Sequence, residues 1–436
     1  MGEKIKNKGI TKYKIKSFLL YTLPFIIEYL FLQTTDFVDT TLSSHVGETT
    51  IVGISTMVLI IEVIRIFPKV MASTNEIIIS PIYGKNKKDD KVNIVTFNAL
   101  VVSFFMNIMI IVSVAYFAKY IINFMGLKFE AILIAKNYLI IRLIGCLIVP
   151  FEQIIQSHLK VINKNKQVMN IKIAYTILNI IGDTFSVIKG YGAIGIAVST
   201  VICEYIQVIL LLIVNKGIKF RKVQSTVINE LLNIFKINIF SKLGHRLGVV
   251  IFTSLASNLE QNIYANYVLA IQVMYLGTSI SEALGEATLI KIGHTIGKND
   301  KEKIKEAKQI SIQSSYAIAI MQLILFLIFG KLLLSIISNN TYNNVAINLL
   351  YLFIVEMIIE TLHYPFEGYL LALKEVKYVT FVNLTGALVI RIISALIFMK
   401  LGLGIYGIAI ALILDYLIRY LRYMSKAKQY EKLNEL

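Results

Sequence analysis

Asn179 and Asp183 stand four residues apart in the stretch LNIIGDTFSVI, residues 178–188, which is otherwise largely apolar. Four residues make about one helical turn, so the amide and the carboxylate share a face. A carboxylate with neutral oxygens beside it suits a proton or a hard cation. A second apolar stretch carries Glu356, Glu360, His363 and Glu367, which fall on one helical stripe. Glu282 and Glu286 form another pair four apart. Asp36 and Asp39 make a D-x-x-D pair of the kind that binds Mg²⁺ in prenyl-diphosphate enzymes, but the second such pair those enzymes use is absent. Glu62, Arg65, Lys69 and Glu76 also share a face, and there opposite charges can neutralise one another.

What these groups can do depends on the medium around them. The chain is 56% hydrophobic and only 16% charged, with a mean hydropathy of +0.69. Soluble domains run nearer 45–50% apolar and about 25% charged. Apolar blocks of twenty residues or more, such as 94–117, 310–329 and 378–399, match the length a helix needs to cross roughly 30 Å of hydrocarbon. An ionised Asp at the centre of such a helix costs about 2.5–3.5 kcal/mol, so it faces a partner or a cavity. The net charge of +17 sits in short loops and at the termini, without aromatic interleaving, which argues against nucleic acid as a partner. Cys146 and Cys203 both lie in apolar blocks and suggest neither a disulfide framework nor a metal site. The basic stretch 4–16 precedes an apolar segment that carries Glu28, Asp36 and Asp39, so no cleaved signal peptide is expected.

Reading apolar blocks between polar breaks predicts about twelve spans. They fall near 17–42, 51–80, 93–118, 131–159, 167–188, 192–214, 232–257, 263–292, 309–335, 344–373, 377–399 and 404–423. Loops after the even spans are rich in Lys and Arg, as at Lys85, Lys87 and Lys88, or Lys160, Lys164 and Lys166. The alternate loops are nearly free of them, which places both termini and the even loops in the cytoplasm. The chain also repeats itself. Gly84-Lys85-Asn86 recurs as Gly297-Lys298-Asn299, Pro150-Phe151-Glu152 as Pro365-Phe366-Glu367, and Gly195-Ile196-Ala197 as Gly407-Ile408-Ala409. The expected architecture is an all-α membrane protein of two pseudo-symmetric six-helix bundles, residues 1–222 and 223–436. Six is even, so both halves keep the same orientation, with a site at their interface as transporters have.

The order and spacing of these landmarks, with Val38-Asp39-Thr40, IGHTIGKND at 292–300, LNIIGD and GIAVST at 195–200, resemble the multidrug and toxic compound extrusion (MATE) family. The resemblance covers nearly the whole chain and places it in the multidrug/oligosaccharidyl-lipid/polysaccharide exporter superfamily. It implies a cavity that opens alternately to each side, and export of organic cations in exchange for H⁺ or Na⁺. It also implies that Asp39, Asn179, Asp183 and Thr200 form the cation site of the first bundle. His245 and Arg246 depart from one branch, which has an acid in span seven.

Depth in the membrane gives the same grouping separately. Asp39 and Asp183 each lie about two turns before an outer loop, and Thr200 about two turns after one. Aligning the halves puts Arg391 opposite Asn179, Ala395 opposite Asp183 and Leu412 opposite Thr200, so the second half has lost every one of these oxygens. Asp39, Asn179, Asp183 and Thr200 are therefore the expected coupling site for H⁺ or Na⁺, with Asp36 and Glu204 as neighbours. Glu282, Glu286, Glu356, Glu360 and His363 are the expected cavity lining. The expected protein is a monomeric antiporter of the cell membrane for organic cations or amphiphiles, not an enzyme, with no cofactor beyond the coupling ion. A lipid-linked saccharide flippase and an Mg²⁺-dependent membrane transferase are the competing readings.

Overall fold

The computed structural model describes the backbone except at residues 1, 47, 125–128, 216–220, 339–340 and 435–436. Side chains are described except at 1–11, 36–37, 39–41, 43–49, 51–52, 124–130, 216–220, 339–340 and 431–436. Among the described residues there is no strand. The helices are α1 (Gly2–Val46), α2 (Glu48–Lys85), α3 (Lys91–Phe124), α4 (Phe129–Cys146), α5 (Val149–Val161), α6 (Asn165–Ile188) and α7 (Gly192–Val214). They continue as α8 (Ser225–Ser257), α9 (Gln261–Ile296), α10 (Lys301–Ser338), α11 (Asn344–Ala372), α12 (Val376–Leu384), α13 (Arg391–Lys400) and α14 (Gly404–Asn434).

Two of the rods are composite. The α4 and α5 helices form one rod bent by 41°, and α12 runs into α13 through a π-helical segment, Thr385–Ile390. Counted this way, the described helices make the twelve rods expected from the apolar blocks. Nine are long and apolar enough to cross a membrane by themselves, and the bent rod makes ten. The bend has an identifiable cause. Pro150 stands in the first turn of α5 and has no N–H to give the carbonyl of Cys146. Asn107 of α3 donates to that carbonyl instead, at 2.7 Å, so the break leaves no orphan there.

Contacts divide the chain into two compact units. The first is Leu30–Ile239, and the second joins Met1–Tyr29 to Phe240–Leu436, so the chain changes unit inside α1 and inside α8. In the first unit, α2 packs on α3, α4 and α5, α4 packs on α7, and α6 packs on α7. In the second, α9 packs on α10 and α11, α11 packs on α14, and α13 packs on α14. The same pattern therefore occurs twice, in the order the sequence repeat predicts.

Each unit has an apolar interior. Met57, Leu139 and Ile196 are buried in the first, and Phe353, Leu349 and Ile408 in the second. The outer surfaces are apolar too. On α3, Phe105, Met109, Val112 and Tyr116 form an exposed stripe, while Ser103 and Asn107 on the other side are buried. Apolar-out with small and polar residues inward is what a lipid solvent selects.

Candidate functional site

The α6 helix carries Asn179 and Asp183 one turn apart, and both are fully buried in the first unit. The α7 helix brings Thr200 against them, 2% exposed. The Asn179 Nδ2 donates to Asp183 Oδ2 at 3.1 Å and to Thr200 Oγ1 at 3.4 Å. Thr200 itself donates to the carbonyl of Ile196 at 2.9 Å. With both donations spent that way, Asn179 Oδ1 is buried with no hydrogen-bond donor among the described residues. Gly182 explains how the helices come so near. A Cβ at that position would run into Ser199 Oγ, next to Thr200, so a larger residue would have to turn that hydroxyl aside or push α6 from α7. Thr35 of α1 meets Thr176 of α6 at 2.9 Å, one turn before Asn179. The side chains of Asp36 and Asp39 lie outside the described residues.

Glu204 is one turn beyond Thr200 on α7, and the structure gives it different company. Its Oε1 lies 3.0 Å from Arg65 of α2 and 3.1 Å from Arg142 of α4. Arg65 also reaches Glu152 of α5 at 3.4 Å, and Glu152 accepts from Gln207 at 3.1 Å with Lys172 of α6 at 3.7 Å. These ion pairs tie five helices together around Glu152 and Glu204. In the sequence Glu152 stands out only as a repeat landmark, and nothing there marks a partner for Arg142. A single charge in an apolar run announces that it has a partner, but not which helix supplies it.

The matching place in the second unit is also occupied by charge. Arg391 of α13, where the repeat puts Asn179, is 2% exposed, and its guanidinium bonds Asp415 of α14 through Nε at 2.9 Å. Arg419, one turn on, grips the same carboxylate with two bonds of 2.7 and 2.6 Å. Both oxygens of Asp415 are therefore held by guanidinium groups, the strongest form of such pairing. Ala395 and Leu412, at the other two matched positions, are buried and apolar. Asp415 and Arg419 were missed in the sequence, although their spacing of four within DYLIRY was the available signal.

The stripe on α11 divides. His363 lies 3.3 Å from Glu367, which also accepts from Asn383 at 3.1 Å, so this end belongs to a hydrogen-bonded network with Arg419 and Tyr423. Glu356 and Glu360 are fully buried, and none of their oxygens has a hydrogen-bond donor by geometry among the described residues. Glu282 and Glu286 on α9 are half-buried, and Tyr364 donates to Glu282 at 3.5 Å. Among the described residues, no group of acids, histidines and cysteines has the arrangement of a metal site.

Two like-built helical units, apolar outside and with acids buried at helix contacts, define a multi-pass membrane protein of the repeat-built transporter class. The MatE family model matches residues 24–185 and 239–397, and the chain belongs to that family, the MATE transporters. It is 27% identical over 363 residues to the uncharacterized transporter YisQ of Bacillus subtilis, covering 77% of each chain. It is 23% identical to a probable multidrug resistance protein NorM of Bacillus cereus, covering 84% of each. An outward-facing multidrug resistance MATE transporter of the MOP superfamily shares the fold, with a TM-score of 0.89 at 17% identity over 97% of both chains. A MOP superfamily transporter of Pyrococcus furiosus, described by a reverse polarity of its binding pocket, matches with a TM-score of 0.87 at 16% identity, also over 97% of both chains.

Proposed function

We propose that the protein is a cell-membrane antiporter that exchanges H⁺ or Na⁺ for an organic cation or amphiphile. Asp39, Asn179, Asp183 and Thr200 are its coupling site. The observation that carries this reading is the buried Oδ1 of Asn179, which has no donor among the described residues, beside Asp183 and Thr200. Buried polar atoms are almost always paired, so an acceptor left open beside a carboxylate suits an ion that comes and goes. Helix α1 carries Asp39 one turn beyond Thr35, the residue that docks on α6 beside the site. Binding H⁺ or Na⁺ there removes net charge from a place where charge is costly, and repacks α6 against α7. Weaker cargo binding in the ion-bound state releases cargo outward, and cargo weakens ion binding by the same factor. The names of the NorM relatives support a drug-like cargo.

The test is dye transport by the purified protein in liposomes under imposed pH or Na⁺ gradients. Wild-type protein is expected to respond to one gradient, and Asp183→Asn to neither while still binding dye. Wild-type rates in Asp183→Asn would overturn the reading. The gathering of Arg65, Arg142 and Lys172 at one place favours a flippase of lipid-linked saccharides as second reading. Gradient-independent lipid translocation without dye movement would select it.

A further inference from the structure

The turns after α2 and α5 and the end of α7 line a partly open cavity of about 370 Å³ within the first unit. The lining residues that bear on its contents are Lys87, Lys88, Lys164, Asp89, His158 and Asn215. Two of them are buried and carry polar atoms unpaired among the described residues. His158 is 2% exposed and Asn215 is 5% exposed. His158 Nδ1 and both amide atoms of Asn215 lack any hydrogen bond among the described residues. Orphans of this kind are rare in native proteins, and three at one wall call for a ligand.

The charge says which kind. Lys164 Nζ donates to the carbonyl of Val214 at 2.9 Å, which fixes the ammonium beside Asn215 and leaves two of its three N–H donors to spare. Lys87 and Lys88 are exposed at the other side of the cavity. Against these three cations the lining has one acid, Asp89, whose Oδ1 accepts from the backbone of Lys91 at 2.9 Å. The neighbouring Asp90 pairs with Arg221 at 2.6 Å and is taken up there. A cation is excluded by this balance, while an anion with several acceptor oxygens would meet ammonium groups on two sides and directional donors on the third.

We propose that this cavity binds a phosphate group, from an anionic lipid headgroup or from free phosphate. Lys87, Lys88 and Lys164 supply charge, and His158 and Asn215 supply oriented donors. The loops that form it are those whose Lys and Arg content assigns them to the cytoplasmic side, where anionic lipids lie and where basic pockets between helices take up headgroups.

The full chain is to be purified in detergent and in nanodiscs, and its thermal midpoint measured. One arm adds inorganic phosphate in detergent against chloride at equal ionic strength. The other adds phosphatidylglycerol to phosphatidylcholine nanodiscs. Wild-type protein is expected to gain several degrees in at least one arm, because a ligand that binds only the folded state raises its midpoint. A gain with phosphate identifies the free ion, and a gain confined to phosphatidylglycerol identifies the lipid. The exposed double variant Lys87→Gln/Lys88→Gln is expected to fold, and to need about tenfold more ligand for the same gain. Lys331→Gln, in the second unit, is expected to behave as wild type. No gain in either arm, or equal gains in wild type and the double variant, overturns the proposal.

Discussion

Residues 179, 183 and 200 in the first unit and residues 391, 395 and 412 in the second hold matched places in the repeat, and all six are buried. In the first unit these places supply an amide, a carboxylate and a hydroxyl, with one acceptor oxygen that has no donor among the described residues. In the second they supply a guanidinium and two apolar groups, and the nearest carboxylate, Asp415, is gripped by two arginines. One fold has thus met the same problem, charge inside an apolar bundle, in two ways. A cation attached by covalent bonds balances Asp415 permanently. The acceptor of Asn179, which has no donor among the described residues and lies next to Asp183, is suited to a cation that is not attached. The duplicated scaffold does not need these oxygens to stand, because the second copy stands without them.

The sharpest way to break this contrast is the same neutralisation in each unit. Asp415→Asn leaves two buried guanidinium groups without their carboxylate, and a stability loss of about 3–5 kcal/mol is expected from thermal unfolding in detergent. Asp183→Asn keeps the shape and the partner amide, and a change of only about 1 kcal/mol or less is expected. If Asp183→Asn unfolded the protein as readily as Asp415→Asn, Asp183 would be a structural residue and the contrast would fall. Gly182→Val forces α6 from α7, with an expected cost of about 1–3 kcal/mol and ion-driven transport reduced out of proportion to it. Unimpaired transport in a folded Gly182→Val protein would show that the close approach of Asn179 to Thr200 is not needed.

Thr200→Val removes one oxygen while keeping the packing. Na⁺-driven dye efflux is expected to fall about tenfold and proton-driven efflux hardly at all, because a bare cation needs the extra oxygen ligand. The smallest effect is expected in the second unit. Glu360→Gln replaces a fully buried carboxylate by a neutral group of the same shape, so the thermal midpoint is expected to rise slightly. Cationic dye affinity is expected to fall a few-fold if the stripe lines the cargo path, and unchanged affinity would return Glu360 to a packing role.

Much of this contrast was legible in the sequence. Membrane thickness fixes the length of an apolar block, so the rods could be counted. Asn179 and Asp183 are four apart, so their shared face needed no tertiary information. Their match to Arg391 and Ala395 followed from the repeat. What could not be read were contacts between helices. Glu204 looks like a neighbour of Thr200 along α7, yet it is turned toward Arg65 and Arg142 on two other helices. The π-helical segment at Thr385–Ile390 has no proline to mark it. The bend at residues 147–148 lies just before Pro150, inside an apolar block that runs unbroken over 131–159 in the sequence.

The membership of the second unit bears on how the protein is made. Leu30–Ile239 is continuous in the chain, so every residue of the first unit has been synthesised when just over half of the polypeptide exists. Met1–Tyr29 belongs with residues that emerge last, as the cation–π contact of Lys291 with Tyr21 at 5.2 Å and the ion pair of Lys14 with Glu306 illustrate. Domains assemble as units during synthesis, generally from the N-terminus onward. Here the order is inverted for the opening segment, which waits while the unit carrying Asn179, Asp183 and Thr200 is completed. Closing so long a loop costs entropy only logarithmically, so the delay is kinetic far more than energetic. Ribosome-stalled chains long enough for residue 240 to have left the exit tunnel should therefore already hold the α6–α7 contact, with the first helix half-docked through Thr35 and Thr176.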